Sequence, residues 1–209
     1  MNVYDFDGTI FYPNVTLKFA VWSIRKHPDL LITYFPSLLL SAAAYKLGKI
    51  PTHRFIRRFF AFLPRIKNFD QEIERFWDKN EKNISSWYLA QKKRDDLIIS
   101  GSPECIVKPI TDRLGVNLRA TLYDQEMGVF YGNLMLAQSK SRYVIDLGLP
   151  VIDNFYSDSL SDTPIALCAE RAFLVTKRAR KPIPWPTMTR KSYKKIKKKI
   201  DIGWKHIED

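Results

Sequence analysis

Two aspartates separated by one residue, Asp5 and Asp7, stand where a short apolar run at the start of the chain gives way to Gly8 and Thr9. An apolar run that ends at a glycine is typical of a buried strand followed by a turn. Because side chains alternate along a strand, both carboxylates leave it on the same face. One can then attack a substrate or hold a metal ion while the other transfers a proton. Aspartate and glycine are also ordinary turn residues, so an unspecialised strand end is the alternative.

Three later segments carry polar side chains that would complete such a site. In chain order they contain Ser100 and Gly101 after an apolar run, Lys140, and the aspartates Asp158 and Asp162. Together with the first segment, and over about residues 1–176, they resemble the four motifs of the haloacid dehalogenase superfamily of phosphohydrolases. The last segment, Ser-Asp-Ser-x-Ser-Asp-x-Pro over residues 157–164, resembles the branch with phosphoserine phosphatases and phosphatidylglycerophosphatase C-like proteins.

The resemblance assigns the chemical steps to the first pair of aspartates. It implies that Asp5 is the nucleophile that forms an aspartyl-phosphate, and that Asp7 protonates the leaving alcohol and then activates water. Phosphoryl transfer also needs positive charge around the transferring oxygens. The resemblance implies a magnesium ion, Mg²⁺, held by Asp5, Asp7 through its main-chain carbonyl, Asp158 and Asp162. The implied phosphate-binding residues are Thr9, Ser100, Gly101 and Lys140.

Two of these assignments have alternatives. Ser102 competes with Ser100 for the phosphate-binding role, and the resemblance favours Ser100. The run before Lys140, residues 136–139, lacks the glycine that this branch has there. Lys140 can therefore instead be a solvent-exposed lysine at the end of a helix.

The apolar segments place these residues on an α/β framework. Strand-like runs alternate with helical patterns, which predicts a doubly wound parallel sheet. The predicted strands are 96–99, 118–124, 151–157 and 172–176 after the first one, with a hairpin arm at 129–136. The resemblance implies the same Rossmann-like core. Since ligands of such sheets bind at the carboxyl ends of the strands, we expect the four motifs to meet there.

Residues 15–94 are rich in aromatic side chains and show no strand-like alternation. Four helices are predicted, over 15–27, 30–47, 52–62 and 69–92, with Thr52 as the cap of the third. By resemblance this segment is an all-helical cap inserted over the catalytic face. We therefore divide the chain into an α/β core (1–14 and 95–177), a helical cap (15–94) and a basic tail (178–209).

The first loop and the cap give indications of the substrate class. In phosphoserine phosphatases a glutamate shortly after the first motif binds the substrate amine, whereas residues 10–14 contain no acid. The apolar stretch 30–45, flanked by basic residues, is too short to span a bilayer. It predicts either a buried cap helix or a helix that meets a membrane or lines a lipid-sized pocket. We expect a phosphorylated small molecule or lipid as the substrate, and in particular an anionic phosphomonoester with an apolar body, such as a lipid phosphate. A phosphoserine or other small-metabolite phosphatase is the alternative.

The charge distribution limits the kinds of binding partner, and the cysteines indicate the cellular compartment. Of the formal charge of +12, most lies in residues 178–209, which hold eleven Lys and Arg against three acidic residues. This tail predicts a solvated helix or contact with an anionic membrane, and it favours nucleic acid less. Cys105 and Cys168 are predicted to be reduced core residues, and no secretory leader is recognisable. We expect a cytoplasmic protein. Peripheral attachment to the inner face of the membrane is compatible with this expectation.

Two other classes of protein share this pattern. One is a non-catalytic protein of the same fold that binds membrane or nucleic acid. The intact set of aspartates favours an enzyme over this class, since a protein that has lost catalytic activity is expected to lose at least one of them. The other is a phosphotransferase, which passes the phosphoryl group to an acceptor other than water and is left open by the sequence.

Overall fold

The residues that the structure describes form one sheet of seven strands. The computed structural model describes residues 1–132, 134–136, 138–146, 151–176, 180–189, 191 and 194. The strands are β1 (Asn2–Asp5), β2 (Leu97–Pro103), β3 (Asn117–Asp124), β4 (Val129–Tyr131), β5 (Ile152–Ser157), β6 (Ala169–Val175) and β7 (Pro182–Pro184). Across the sheet they lie in the order β4-β3-β2-β1-β5-β6-β7.

The central strands from β3 to β6 pair in parallel, which confirms the predicted α/β fold with a doubly wound parallel sheet. The two edge strands are antiparallel: β4 forms part of the predicted hairpin arm at 129–136, whereas β7 was not predicted. β4 pairs antiparallel with β3, and β7 pairs antiparallel with β6. Because the connections before β4 and β7 are short, neither strand can return in the parallel direction. The sheet is therefore mixed, with its parallel part in the middle.

β1 is buried and lies at the centre of the sheet. Its register pairs Val3 with Leu97 of β2 on one side and with Phe155 of β5 on the other. The chain leaves β1 toward β2 and later crosses to β5, so the direction of winding changes beside β1. In open α/β sheets such a switch leaves a crevice at the carboxyl ends of the strands. The polar residues that follow β1 and β5 and those of β2 therefore lie at one edge.

The connection between β1 and β2 is helical, as predicted. Its helices are α1 (Val15–Lys26), α2 (Leu30–Thr33), α3 (Phe35–Lys46), α4 (Thr52–Phe60), α5 (Phe69–Asn80) and α6 (Ser86–Leu89), with 3₁₀ turns at Leu63–Arg65 and Glu81–Asn83. Among the helices that the structure describes, none combines the length and the apolar composition needed to cross a bilayer. The division of the chain into core, cap and tail stays a prediction.

The predicted helix over 30–47 is interrupted, since α2 and α3 are separate helices with Tyr34 between them. Pro36 explains the break, because it has no N–H to donate to the carbonyl four residues earlier and its ring crowds that carbonyl. Tyr34 turns inward, where its hydroxyl donates a hydrogen bond to the Phe59 carbonyl at 2.6 Å. The break therefore anchors the start of α3 to α4.

The predicted helix over 69–92 ends early. α5 stops at Asn80, and the Ser85 N–H donates to the carbonyl of Ile10 at 2.8 Å rather than continuing the helix. A contact with the first loop thus overrides the local helical pattern. Thr52 is the first residue of α4 and not its cap, because Pro51 holds the cap position in an extended conformation.

Three more helices cover the sheet after β2. They are α7 (Glu104–Leu114), α8 (Gln138–Asp146) and α9 (Thr163–Ala166), and a 3₁₀ turn at Leu160–Asp162 precedes α9. α7 is followed by Gly115 with a left-handed φ of 66°, the usual conformation of a glycine that ends a helix. Both cysteines are free, but the core position predicted for Cys168 is wrong, since it lies exposed in the turn after α9.

Trp77 of α5 joins the inserted helices to the sheet. Its fully buried ring packs edge-on against Phe6 and Phe11, with centroid distances of 6.2 and 5.3 Å. Its indole N–H donates to the Ile106 carbonyl in α7 at 2.8 Å. The inserted helices therefore share one hydrophobic core with the loop that follows β1.

Replacing Trp77 by Phe should lower the free energy of unfolding by about 1–3 kcal/mol, because the smaller ring leaves a cavity and loses the hydrogen bond to Ile106. Urea denaturation followed by circular dichroism measures the change. Trp22→Phe is the matched control, since Trp22 is only half-buried and its loss should stay below about 1 kcal/mol. Equal losses in the two variants would contradict the joining role of Trp77.

Candidate active site

The loop after β1 folds tightly around the carbonyl of Phe6. That carbonyl accepts hydrogen bonds from the N–H groups of Thr9, Ile10 and Phe11 at 3.0–3.3 Å. Gly8 has a left-handed φ of 80°, which a residue with a side chain rarely adopts. This loop leaves Asp5 at the end of β1 and Asp7 two residues later, and both carboxylates line the same cavity.

Asp5 is buried and its carboxylate has two partners. The Lys140 ammonium donates to Oδ1, and the Thr9 hydroxyl donates to Oδ2 at 3.2 Å. Burial raises the pKa of Asp5 to about 7, although the adjacent Lys140 acts to lower it. The carboxylate is therefore held in place by one ammonium and one hydroxyl.

Lys140 lies on α8 and is buried, so it does not face solvent as the alternative interpretation of its sequence context required. Its Nζ is also 3.5 Å from Oδ2 of Asp162. Burial acts to lower the pKa of Lys140, but the carboxylates of Asp162 and Asp5 outweigh that effect and raise it. The two carboxylates therefore favour the charged ammonium form of Lys140.

Asp7 is held by groups from two other elements. Its Oδ1 accepts from the N–H of Val15, the first residue of α1, at 2.6 Å. Its Oδ2 accepts from the hydroxyls of Ser102 at 2.6 Å and Ser100 at 3.3 Å. Burial raises the pKa of Asp7 against the lowering effect of these hydrogen bonds. The carboxyl group is therefore fixed in position and retains a proton more readily than an exposed aspartate.

The two serines of β2 occupy different positions. Ser100 is fully buried, and its Oγ accepts the Ser102 N–H at 3.0 Å. Ser102 lines the cavity beside Asp7, and its Oγ also accepts from the Thr16 hydroxyl at 2.9 Å. Gly101 lies between them, where a side chain would approach the Met135 carbonyl within 3.2 Å. The preference for Ser100 over Ser102 as the phosphate-binding serine stays a prediction.

Thr9 links the ends of β1 and β5. Besides donating to Asp5, its hydroxyl accepts the N–H of Asp158 at 2.9 Å. The Asp158 carboxylate lies against Gly8, so close that a Cβ there would fall 2.7 Å from Asp158 Cγ. The phosphate-binding role predicted for Thr9 stays a prediction, because its buried hydroxyl is engaged with these two partners.

Asp162 is buried one turn beyond Asp158 and contacts the ion pair rather than the Gly8 loop. Its Oδ2 accepts from the Ser157 hydroxyl at 2.8 Å and faces the Lys140 ammonium. The structure thus brings the predicted residues to one edge of the sheet. Asp5, Asp7, Gly101 and Lys140 line the cavity, and Thr9, Ser100, Asp158 and Asp162 lie behind or beside them.

The donor chemistry of this edge fits a divalent cation. Asp5 and Asp158 border the Gly8–Thr9 loop, and carboxylates and carbonyls are the ligands that Mg²⁺ prefers. Asp5 and Asp162 face the Lys140 ammonium, Asp7 lies in the same cavity and Asp158 lies against Gly8, so carboxylates outnumber the single ammonium at this edge. Within the described residues no three carboxylate, imidazole or thiolate groups form a ready-made metal cluster. The metal site therefore stays a prediction.

The cavity at this edge has a volume of about 240 Å³ and two unlike sides. One side carries the carboxylates and Lys140. The other side is apolar, with Ile56, Phe59 and Phe60 of α4. Sequence reasoning missed this wall, as it missed Asn14 and Thr16, which also line the cavity. Ile56, Phe59 and Phe60 are spaced three and four residues apart, and this spacing could have predicted an apolar face on α4.

A family model described as haloacid dehalogenase-like hydrolase matches residues 3–167. No match was found among curated proteins. A protein of unknown function from Bordetella pertussis Tohama I has a similar structure, with a TM-score of 0.65, 17% identity, and coverage of 82% of this chain and 87% of that one. A phosphoserine phosphohydrolase-like protein from Francisella tularensis is also similar, with a TM-score of 0.51 and 15% identity. The match covers 82% of this chain and 86% of that one. A phosphoserine phosphatase solved as a phospho-aspartyl intermediate analogue has a TM-score of 0.52 and 15% identity. The match covers 85% of this chain and 87% of that one. At these identities the likeness shows the fold alone.

Replacing Thr9 by Val should lower the free energy of unfolding by about 1–3 kcal/mol, because the buried Asp5 carboxylate and the Asp158 N–H both lose a hydrogen-bond partner. Thr9→Ser keeps the hydroxyl and should lose less than about 1 kcal/mol. Urea denaturation of both variants measures the difference. A loss in Thr9→Ser with none in Thr9→Val would show that the methyl group of Thr9, and not its hydroxyl, stabilises the loop.

Proposed function

The chain belongs to the haloacid dehalogenase-like hydrolase family, as its four motifs predicted, and we propose that it is a Mg²⁺-dependent phosphomonoester hydrolase. The observation that carries this proposal is the pair of carboxylates in one cavity, with Lys140 bound to Asp5 and hydroxyl donors bound to Asp7. Such a set supplies a nucleophile, an acid and a fixed positive charge, which are the groups that phosphoryl transfer requires.

In the first step the Asp5 carboxylate attacks the phosphorus, and the bond from phosphorus to the substrate oxygen breaks. The leaving oxygen takes the proton of the Asp7 carboxyl group. Burial favours this protonated form, because it raises the pKa of Asp7. The hydrogen bonds from Val15 and Ser102 hold the carboxyl group toward the cavity.

In the second step Asp7, now a carboxylate, takes a proton from water. The resulting hydroxide attacks the phosphorus of the aspartyl-phosphate, the bond to the Asp5 oxygen breaks, and inorganic phosphate leaves. Both aspartates return to their starting protonation states. Lys140 neutralises negative charge on Asp5 and on the phosphoryl group throughout, and Asp162 holds its ammonium in place.

Mg²⁺ would be held by the carboxylates of Asp5 and Asp158 and by the main-chain carbonyl of Asp7. When bound, it supplies positive charge to the phosphoryl oxygens. Asp162 contributes to this arrangement through Lys140, since its carboxylate faces that ammonium.

The apolar side of the cavity supports a substrate with an apolar body, such as a lipid-like phosphomonoester. Phe59 and Ile56 would contact that body while the phosphate meets the aspartates. Among the described residues, the cavity is lined by no carboxylate other than Asp5 and Asp7, so a substrate ammonium would lack a dedicated partner. This arrangement disfavours phosphoserine.

A phosphatase of other small metabolites is the second candidate, and the modest cavity volume of about 240 Å³ favours it. A phosphotransferase would use the same first step. A non-catalytic protein that binds membrane or nucleic acid is disfavoured, since all four aspartates are present. Contact of the basic tail with an anionic membrane stays a prediction, because most of residues 178–209 lie outside the described part of the chain.

Asp5→Asn should abolish phosphate release from phosphomonoesters, with a loss of about 10³-fold or more in kcat, because the nucleophile is removed. Release should also stop when Mg²⁺ is chelated and return when it is added back. Asp112→Asn, a change at an exposed carboxylate away from the cavity, is the control and should keep full activity. Unchanged turnover in Asp5→Asn would refute the proposed nucleophile.

Phe59→Ala should lower kcat/KM roughly tenfold for monomeric alkyl phosphates, because part of the apolar contact is lost, and should leave small polar phosphates little affected. Steady-state phosphate release from both substrate types measures the ratio. Met127→Ala, at an exposed apolar residue outside the cavity, is the matched control. An equal loss on both substrate types would mean that the α4 wall does not select for an apolar body.

A further inference from the structure

α3 is apolar around its whole circumference, yet most of it is exposed. Within Phe35–Lys46 only Ser41 is buried. A helix that is hydrophobic on all sides is normally buried in a protein or in contact with lipid. An exposed apolar surface of this kind marks a site of interaction.

The exposed side chains of α2 and α3 form one surface, which we name the outer apolar face. Ile32 is 81% exposed and Leu40 is 74% exposed. Phe35 and Leu39 are four residues apart, which places them on one side of α3, and Leu47 follows at the end of that helix. The outer apolar face consists of Leu31, Ile32, Phe35, Leu39, Leu40 and Leu47.

The segment that carries this face is strongly basic, although the exposed Asp29 stands directly before α2. Residues 30–69 contain seven Lys and Arg and no Asp or Glu. All seven are exposed, and none forms an ion pair with another residue in the part of the chain that the structure describes. They are Lys46, Lys49, Arg54, Arg57, Arg58, Arg65 and Lys67.

We propose that the outer apolar face docks on an anionic lipid bilayer, with α3 lying in the plane of the interface. The apolar side chains would enter the boundary between headgroups and acyl chains, and the seven cations would meet the acidic headgroups. A second copy of this chain is a poorer occupant, because it would bring the same seven positive charges against the first. Charge complementarity therefore selects the membrane.

α4 connects this face to the catalytic cavity. Tyr45 of α3 stacks on Phe55 of α4 at 4.8 Å, and Arg58 donates to the Ser41 hydroxyl at 3.1 Å. The helix that packs beneath the outer apolar face is thus the one that forms the apolar wall of the cavity. The docking proposal does not depend on the proposed activity, since its test measures binding and not turnover.

The test is sedimentation of the full chain with phosphatidylcholine vesicles that contain or lack phosphatidylserine. Wild type should bind the anionic vesicles and not the neutral ones. Ile32→Ser combined with Leu40→Ser should lower the partition coefficient by about tenfold or more, because two apolar side chains are lost from the interface. Met127→Ser combined with Leu167→Ser is the matched control at exposed apolar residues elsewhere, and it should bind like wild type. Thermal unfolding checks that both variants fold.

Three results would overturn the proposal. One is binding that is unchanged by Ile32→Ser with Leu40→Ser, or lost equally in the control pair. Another is binding lost only when Lys197, Lys198 and Lys199 are changed to Gln, which would assign the contact to the basic tail. The third is a dimer in light scattering that becomes a monomer in the Ile32→Ser and Leu40→Ser variant, which would make a second copy the occupant.

Discussion

The buried ion pair between Asp5 and Lys140 is the contact on which the rest of the site depends. A carboxylate or an ammonium buried alone costs several kcal/mol, so each group can stay inside only with the other. The two residues are 135 positions apart and lie on different elements, β1 and α8. Asp162 adds a third charge from the turn before α9. The central strand, α8 and this turn must therefore be assembled together before a functional cavity exists.

The inserted helices serve the sheet and the cavity at once. Trp77 packs against the loop that positions the two aspartates, so the insertion stabilises that loop. α4 closes the cavity with an apolar wall and supports α3 on its other side. A change in the helices can thus alter the apolar wall of the cavity without touching Asp5, Asp7 or Lys140.

The sequence predicts the parts of the molecule that local pattern controls. The alternation around Asp5 and the glycine turn after it place the first strand and its carboxylates correctly, and the resemblance locates the later motifs. The α4 wall was not predicted, and Ser102 was only the second choice for the phosphate-binding serine, because their positions depend on how distant segments pack. The break at Tyr34 was also missed, although Pro36 is visible in the sequence, because an apolar helical pattern continues across it. The metal and the substrate depend on groups that no local pattern identifies.

The short antiparallel strands at the two edges of the sheet have a consequence for how the protein behaves at high concentration. An open sheet edge is a template on which strands from other molecules can add. β7 is three residues long and has proline at both ends, so two of its positions have no N–H to offer. β4 is equally short. Both edges therefore resist edge-to-edge aggregation, although the parallel strands between them are apolar and strongly β-forming.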